Sequence, residues 1–255
     1  MTDAKWHDLI ASVGTRTPVK ALTYQGKKWS TFSLPAVFKC SDAFEYVVKS
    51  PRIGLEQARA AVTEQIVSSL GIALEAPVAE VRIVELVPEL LKMADSEIGY
   101  LGAGLAHGSK RIPNCSEREW LKHYDEDVNR SRFAALAVLY GWTAAADQQL
   151  IYHEIPPPYV YSVDHGFFFG SGPSWTESTL NAAPTATLYQ LFVGPPCNLS
   201  VGELLPAIER LRTITMLDIA TAVAQPRTEW GITDVERVAV AKFLSRRKTE
   251  ILSGA

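Results

Sequence analysis

The sequence has few cysteines and no long apolar run, and both absences narrow the class of protein. Its three cysteines, Cys40, Cys115 and Cys197, are far apart and form no Cys-x-x-Cys pair. This spacing argues against a disulfide framework or a structural zinc site and predicts small buried residues in a reducing compartment. The N-terminus lacks the apolar core of a signal peptide, and the longest apolar stretch, 133–146, is too short to span a bilayer. These features predict a soluble, cytoplasmic protein.

The chain also lacks a surplus of positive charge. Among its 255 residues, 25 are Lys or Arg and 28 are Asp or Glu, which gives a formal net charge of −3. Broad binding to nucleic acid normally requires a basic face, so this balance argues against it. The one local basic cluster, Arg246-Arg247-Lys248, is typical of a solvated helix end.

Strand patterns dominate the first part of the chain. Turn-forming residues separate apolar and β-branched runs, which predicts strands in a hairpin arrangement. The predicted strands cover 19–24, 36–40, 44–49 and 78–86. A turn is predicted over 25–28. Apolar residues four apart predict a helix that begins near Leu55 and ends at Gly71.

Helical patterns dominate the second part. Segment 95–114 carries four glycines and has weak periodicity, which predicts a connection between two lobes. Residues 130–146 are apolar nearly all round, as in a helix that is buried on most sides. A short strand pair is predicted over 149–163. Two or three helices are predicted from Val201 onward, the last with Asp234 as its N-cap.

This order of elements predicts an α+β protein of two unequal lobes. A β-rich N-terminal lobe with one main helix would cover residues 1–105. A mainly helical C-terminal lobe would cover residues 106–255.

Lys49 and Glu64 form the first candidate pair of functional residues. Lys49 ends an apolar strand, where its ammonium has to reach either solvent or an anion. Glu64 borders the buried face of the following helix, so its carboxylate could hold the Lys49 ammonium toward a phosphate. An exposed strand-end lysine and a solvated helix glutamate are the ordinary alternatives, and both stay open from these residues alone.

Asp147 and Asp164 form the second candidate pair. Asp147 follows the buried helix, where it could cap a turn or accept a proton from an attacking hydroxyl. Asp164 ends a strand shortly before Gly166, and Mg²⁺ takes one or two carboxylates together with phosphate oxygens. The predicted strand pair brings both carboxylates to one edge. Lys, Glu, Asp and Asp in this order are the parts that a phosphoryl-transfer site requires.

The same residues resemble those of the HipA-like kinases over about residues 36–180. The segments that carry the resemblance are Tyr46-Val47-Val48-Lys49, the Glu64 helix with Leu70-Gly71 before Ala76-Pro77-Val78, Ala106-His107-Gly108-Ser109 and Val163-Asp164-His165-Gly166-Phe167. The resemblance implies a bilobal protein-kinase-like fold, with ATP and Mg²⁺ as cofactors. It further implies transfer of the γ-phosphoryl group to an unidentified acceptor, with a protein serine or threonine among the candidates.

The resemblance also implies a role for each candidate residue. Lys49 would contact the ATP phosphates, with Glu64 as its ion-pair partner. Asp147 would be the catalytic aspartate, and Asp164 would hold magnesium. Ser41, in a turn between two strands, and His107 would also lie at the nucleotide. Oligomeric state and protein partners do not follow from the resemblance.

Two departures from the family pattern keep a second interpretation open. The family's catalytic loop usually has an asparagine four or five positions after its aspartate, where this chain has Ile151-Tyr152. Gln149 would replace it, acting beside Asp147 and as a second metal ligand, although an amide is a poorer magnesium ligand than a carboxylate. The turn at Ser41 lacks the glycines of a phosphate-binding loop. The alternative is therefore a pseudokinase, a nucleotide-binding or interaction module without transfer activity.

A third class, a metal-dependent hydrolase, depends on His107, His153 and His165. The histidines show no His-x-His or His-Glu-x-x-His spacing, which disfavours this class.

Overall fold

The computed structural model describes residues 1–254 of the chain. It contains a five-stranded closed barrel and a larger helical part. The barrel strands are β1 Val19–Lys28, β2 Ala36–Cys40, β3 Glu45–Lys49, β4 Val81–Leu86 and β5 Gly104–Lys110. Their order around the barrel is β1-β2-β3-β5-β4, and only the closing pair of β1 and β4 is parallel.

Helices make up most of the remaining structure. Their bounds are α1 Asp3–Ser12, α2 Leu55–Ala73, α3 Pro88–Met93, α4 Asp95–Ile98, α5 Asp127–Trp142, α6 Glu177–Ala182, α7 Gln190–Val193, α8 Val201–Thr213, α9 Met216–Ala224 and α10 Asp234–Gly254. Two short strands, β6 Leu150–Tyr152 and β7 Val160–Ser162, pair antiparallel outside the barrel. Among residues 1–254, none of the helices combines the length and the apolar character that a membrane crossing needs.

The structure has two hydrophobic cores. The smaller one fills the barrel and includes the buried side chains of Phe38 and Tyr46. The larger one joins α2 and α5 to the C-terminal helices, and α1 contributes Trp6 and Ile10 to it. The predicted α+β class is confirmed, but the main helix α2 packs mostly into the helical core and not into the barrel. The expected lobe boundary between residues 105 and 106 falls inside β5, so we propose that it lies after Lys110.

The four predicted strands are confirmed, whereas the predicted turn over 25–28 is wrong. Strand β1 continues to Lys28, because Gly26 adopts a φ of +67° in an irregular part of the β1–β2 register. Glycine adopts such a backbone without steric cost, so the chain bulges here without reversing. The chain reverses over 29–35 instead, where Leu34 has a φ of 42°.

Two other predicted boundaries are corrected. Helix α2 runs past Gly71 to Ala73, and a Cβ at position 71 would lie 2.8 Å from Val78 Cγ2. Gly71 therefore permits close packing and does not end the helix. Most of segment 95–114 is not a connection between lobes, because it contains strand β5, which is paired on both sides within the barrel. Only 111–114 follow the boundary proposed above.

The C-terminal half follows the predicted pattern with small shifts. The buried helix ends at Trp142, four residues earlier than predicted, and the predicted strand pair is confirmed as β6 and β7. The N-cap of α10 is Thr233, whose Oγ1 accepts a hydrogen bond from the backbone N–H of Glu236 at 3.2 Å, and not Asp234.

Candidate active site

Three charged side chains from separate elements meet beside the barrel. Lys49 Nζ lies 2.7 Å from Glu64 Oε2 and 2.6 Å from Asp164 Oδ1. Lys49 is the last residue of β3, Glu64 lies in α2, and Asp164 follows β7. The side chains of Lys49 and Glu64 are only 7% and 3% exposed, whereas Asp164 is 29% exposed. Asp164 is therefore the carboxylate of this cluster that solvent or a ligand can reach.

The ion pairs keep these groups charged in spite of their burial. Burial lowers the pKa of Lys49, but the carboxylates of Asp164 and Glu64 outweigh it, so the pKa lies above its ordinary value. Burial raises the pKa of Glu64, but Lys49 and His107 outweigh it and hold that pKa well below the usual range. Lys49 and Glu64 are consequently an ammonium and a carboxylate at neutral pH.

His107 lies behind Glu64, with a fully buried side chain. Its Nδ1 is 2.8 Å from Gln65 Oε1, and its Nε2 is 3.5 Å from Glu64 Oε1. Strand β5 brings His107 here, because it pairs with Lys49 of β3 in the barrel register. The histidine could therefore influence a nucleotide through Glu64 and Lys49, not by direct contact.

The turn that carries Asp164 is fixed from both sides. Asp164 has a left-handed backbone, with a φ of 58°, which aspartate tolerates better than most residues. The next residue, His165, hydrogen-bonds Ser68 Oγ of α2 through Nδ1 at 2.9 Å and Ser162 Oγ of β7 through Nε2 at 2.7 Å. A Cβ at Gly166 would lie 2.9 Å from Ala60 Cβ of α2, so glycine allows the turn to approach the helix closely.

The buried ring of His165 predicts a loss of stability in mild acid. Burial lowers the pKa of His165 from 6.5 to about 4. The unfolded chain therefore binds a proton between these values that the native protein does not, and native stability falls as the pH falls through this window. We expect the free energy of unfolding to drop by roughly 2–3 kcal/mol between pH 7.5 and pH 4.5 from this residue.

Urea unfolding of the ligand-free protein across that pH range measures the effect. The His165→Gln variant serves as the control, because it lacks the titrating ring and should show a weaker dependence on pH. Glu64 does not confuse the measurement, since its stabilising charge is lost only below its unfolded pKa near 4.5. Equal pH dependence in both proteins would contradict the prediction.

Asp147 lies in the loop between α5 and β6, where polar groups hold its carboxylate. Oδ1 accepts hydrogen bonds from the backbone N–H of Gln148 at 2.8 Å and from Arg118 at 3.3 Å. Oδ2 accepts one from Gln149 Nε2 at 3.1 Å. Gln149 therefore contacts Asp147 directly through its amide group.

The Asp147 loop runs beside the turn that carries Asp164. The backbone N–H of Val163 donates to the carbonyl of Gln149 at 3.0 Å, and the N–H of Ala146 donates to the carbonyl of Phe167 at 3.2 Å. These two bonds bracket the pair of aspartates. The loop and the turn are thus neighbours.

Ser41 does not lie with the other candidates. It occupies the turn between β2 and β3, and its Oγ accepts a hydrogen bond from the backbone N–H of Lys20. Lys49 lies at the far end of β3, about 13 Å along the strand from Glu45, which follows that turn. The loop over 29–35 is at the Lys49 end instead, because β2 residue Ala36 pairs with Val48.

A strand β1 that ended at residue 24 would place the β1–β2 connection over 25–28. The structure places that connection over 29–35. The loop reaches the Asp164 turn, because the ring of Phe32 packs edge-on against Phe167 with centroids 5.2 Å apart. The loop over 29–35 contains no glycine.

Two charged residues that the sequence patterns did not indicate join this region to the barrel. Glu117 lies between β5 and α5, and its carboxylate binds Lys27 Nζ and Trp29 Nε1, each at 2.9 Å. Its neighbour Arg118 binds Asp147. These contacts link positions about 30 to 90 apart in the chain, so no local pattern could have revealed them.

The donor set suits a hard cation that also binds phosphate. Within residues 1–254, no group of three or more His, Cys, Asp or Glu side chains has the arrangement of a metal site. Mg²⁺ usually keeps one or two protein carboxylates and fills its shell with water and phosphate oxygens. Asp164, with its partly exposed carboxylate, fits that mode of binding.

Comparison with known proteins identifies the family. The family model of the HipA-like kinases matches residues 26–155, just over half of the chain. The match includes Lys49, Glu64, His107, Asp147 and Gln149, and it ends before Asp164. No curated protein sequence matches the chain.

Two solved structures resemble the chain at low sequence identity. A Helicobacter pylori proinflammatory kinase, CtkA, is 12% identical and aligns with a TM-score of 0.60, over 91% of this chain and 94% of that one. A Golgi casein kinase with Mn/ADP bound is also 12% identical and aligns with a TM-score of 0.46, over 98% of this chain and 75% of that one. Of these two alignments, the one with CtkA supports a protein-kinase-like fold. On the strength of the family match, the chain belongs to the HipA-like kinases.

Proposed function

We propose that this protein is an ATP- and Mg²⁺-dependent phosphotransferase of the cytoplasm. The observation that carries the proposal is that the carboxylates of Glu64 and Asp164 both contact the ammonium of Lys49. Glu64 lies 15 positions from Lys49 in the chain, and Asp164 lies 115 positions from it. Enzymes that transfer phosphoryl groups depend mainly on positioning and on charge stabilisation, and these side chains supply both.

Each residue has a distinct part in the proposed reaction. Lys49, held by Glu64, binds phosphate oxygens of ATP and offsets their charge. Asp147 orients the acceptor hydroxyl and takes its proton as the oxygen attacks the γ-phosphorus, while the bond from the γ-phosphorus to the β–γ bridging oxygen breaks and ADP leaves. Gln149 holds the Asp147 carboxylate in place through its side-chain amide. The first acceptor to test is the hydroxyl of a protein serine or threonine.

Asp164 would hold Mg²⁺, with the side-chain oxygen of Gln149 as a second protein ligand. A bound cation would neutralise part of the negative charge of the phosphates. Because Lys49 contacts both Glu64 and Asp164, the positions of the phosphate-binding ammonium and of the metal-binding carboxylate are coupled.

The second candidate function is a nucleotide-binding module that does not transfer phosphate. It is favoured by the loop after Asp147, which has Ile151-Tyr152 where the family has an asparagine and commits the amide of Gln149 to Asp147. The absence of glycine from the loop over 29–35 also favours it, because glycine lets backbone N–H groups approach phosphate closely.

Two measurements on the 255-residue chain separate these functions. In a thermal-shift titration, ATP with Mg²⁺ should stabilise the protein, by about 2.7 kcal/mol at a hundred times the dissociation constant. Transfer of labelled γ-phosphate to the protein itself or to a Ser/Thr peptide library tests the chemistry. Asp147→Asn should lower transfer at least about a hundredfold without loss of ATP binding, because general base catalysis typically contributes that much.

Asp8→Asn, an identical change at an exposed position of α1, is the control and should transfer at the wild-type rate. Stabilisation by ATP without any transfer would overturn the phosphotransferase and favour the binding module. No stabilisation by ATP would overturn both functions.

A further inference from the structure

Helix α2 is bound by two other elements, the segment that follows the Asp164 turn and α10. The guanidinium of Arg59 in α2 lies over the ring of Trp175, with Cζ 4.1 Å from the ring centroid, and its Nη2 donates to the Trp175 carbonyl at 2.9 Å. Its Nη1 forms an ion pair with Glu236 Oε1 of α10 at 2.7 Å. The side chains of Arg59 and Glu236 are only 13% and 24% exposed, so water and salt screen this pair less than a surface pair.

Trp175 contacts α2 a second time, one turn further along the helix. Its indole Nε1 donates to Thr63 Oγ1 at 2.9 Å, and Thr63 Oγ1 donates to the carbonyl of Arg59 at 3.1 Å. Trp175 is fully buried, so bulk water cannot replace these bonds. Because Arg59 and Thr63 are four positions apart, they lie on one face of α2. The Trp175 side chain therefore fixes the rotation of α2 about its own axis.

The rotation of α2 decides whether Glu64 reaches Lys49. Glu64 follows Thr63 directly, so it projects about 100° around the helix from it. Side chains end about 6 Å from the helix axis, so a rotation of about 30° would carry the Glu64 carboxylate through about 3 Å. A displacement of that size would break the 2.7 Å contact between Glu64 Oε2 and Lys49 Nζ.

Buried aromatic side chains anchor the segment that carries Trp175. Phe169 is buried, and its ring packs edge-on against Trp175 and against Phe243 of α10, with centroids 5.9 Å and 5.7 Å apart. Phosphorylation can order the corresponding loop of a protein kinase through new pairs of arginine with phosphate. Here Arg59 is already paired with the carboxylate of Glu236, and packing orders the segment.

We propose that Arg59 is a positioning residue for the Lys49–Glu64 pair. Together with Trp175, it holds α2 in the rotation at which the Glu64 carboxylate binds Lys49, and no phosphate on segment 165–176 is required. Arg59 acts through Glu64 and not by contact with the nucleotide. The effect on ATP rests on the proposed function, whereas the coupling of Arg59 to Glu64 does not.

The first test is the binding of a non-hydrolysable ATP analogue with Mg²⁺, measured by calorimetry on the 255-residue chain. We expect Arg59→Gln to weaken binding about tenfold, within the range typical of residues that change affinity without touching the ligand. Arg59→Lys keeps a cation beside Glu236 and should bind more tightly than Arg59→Gln. Wild-type affinity in Arg59→Gln would overturn the proposal.

Arg130→Gln is the matched control for this test. Arg130 pairs with Glu203 and joins α5 to α8, and the two side chains are 21% and 30% exposed, close to the values for Arg59 and Glu236. The control removes a comparable ion pair without touching α2, so it should bind the analogue like the wild type.

The second test separates positioning from a general loss of stability and uses no ligand. Urea unfolding at pH 7 is measured for Arg59→Gln, for Glu64→Gln and for the double variant. If Arg59 positions Glu64, Arg59→Gln also weakens the ion pair of Glu64, so the double variant should lose less stability than the sum of the two single losses. Within residues 1–254, the two side chains share no hydrogen-bond partner, so a purely structural Arg59 would give additive losses. Additive losses would overturn the proposal.

Trp175→Phe keeps both tests decisive if Arg59→Gln does not fold. It removes the indole N–H that binds Thr63 and retains a ring beneath Arg59. The same two outcomes are expected with a smaller effect, namely weaker binding of the analogue and a loss of stability that is not additive with that of Glu64→Gln.

A third measurement examines the independence from phosphate. The chain is treated with a protein phosphatase, and mass spectrometry verifies that it carries no phosphate. We expect this protein to bind the analogue with the affinity of the untreated chain. A loss of affinity of about tenfold or more on dephosphorylation would overturn the proposal.

The two proposals fail in different ways. If the wild type does not bind the analogue, the proposed function fails, while the unfolding measurements still decide whether Arg59 is coupled to Glu64. If the wild type binds ATP and transfers phosphate but Arg59→Gln binds equally well, only the inference about Arg59 fails.

Discussion

Replacement of Asp164 by asparagine is expected to reduce phosphoryl transfer from ATP at least about a hundredfold, with little change in the fold. Removal of one group that stabilises transition-state charge typically costs a hundredfold to a thousandfold in rate. Asparagine tolerates the left-handed backbone at this position, with its φ of 58°, whereas alanine would add strain. Asparagine is therefore the cleaner substitution for a loss of charge alone.

The measurement compares initial rates of γ-phosphate transfer at saturating ATP over a range of Mg²⁺ concentrations. Because Asp164 would hold the cation, the variant should also need more Mg²⁺ to reach its own maximal rate. Asp42→Asn is the matched control: Asp42 accepts a hydrogen bond from Tyr46 in the turn at the far end of β3, away from Lys49. Equal rates for Asp164→Asn and the wild type would reject Asp164 as the metal ligand.

Replacement of Lys49 by methionine is expected to abolish detectable ATP binding and to lower the free energy of unfolding by about 3–5 kcal/mol. The variant leaves the Glu64 carboxylate buried without its ammonium partner, and an unpaired buried charge is costly. Denaturant unfolding at pH 7 measures the stability, and calorimetry measures the binding of Mg-ATP.

The loss of stability in Lys49→Met should depend on pH. In the wild type, Lys49 helps to hold the pKa of Glu64 below its ordinary value, so the stabilising charge is present above the unfolded pKa and is lost as the pH falls. In the variant, only His107 still opposes the effect of burial, so the pKa of Glu64 rises and its carboxylate takes up a proton more readily. The difference in stability between the two proteins should therefore be larger at pH 7 than at pH 5.

A double variant and a surface variant test the explanation. Lys49→Met/Glu64→Met removes both charges and should recover at least half of the lost stability, because an apolar pair can replace a buried ion pair at little cost. Lys20→Met, at an exposed position of β1, should change stability by less than about 0.5 kcal/mol. If Lys49→Met were as stable as the wild type, the pairing with Glu64 would not be a buried structural contact.

Secondary structure in this chain follows from local side-chain patterns, whereas the pairing of distant segments does not. Apolar residues recur about every second position in the strand that ends at Lys49 and about every fourth position in the helix that carries Glu64. Both elements were therefore predicted from short stretches of sequence. Segment 95–114 shows no clear strand pattern, because burial along β5 does not alternate from residue to residue. Gly108 of β5 shows how closely this strand packs: a Cβ there would lie 2.4 Å from Val84 Cγ2 on the neighbouring strand.

The sequence by itself determined the order of strands and helices, the chemical types of the candidate residues and the similarity to a kinase family, because local side-chain patterns and motif order encode them. Only the tertiary structure decided which of these residues meet. It brought Lys49, Glu64 and Asp164 together, left Ser41 at the other end of β3, and buried His107 behind Glu64. The physical reason is that barrel closure and the docking of α2 pair positions up to 115 residues apart, and no local pattern records such pairings.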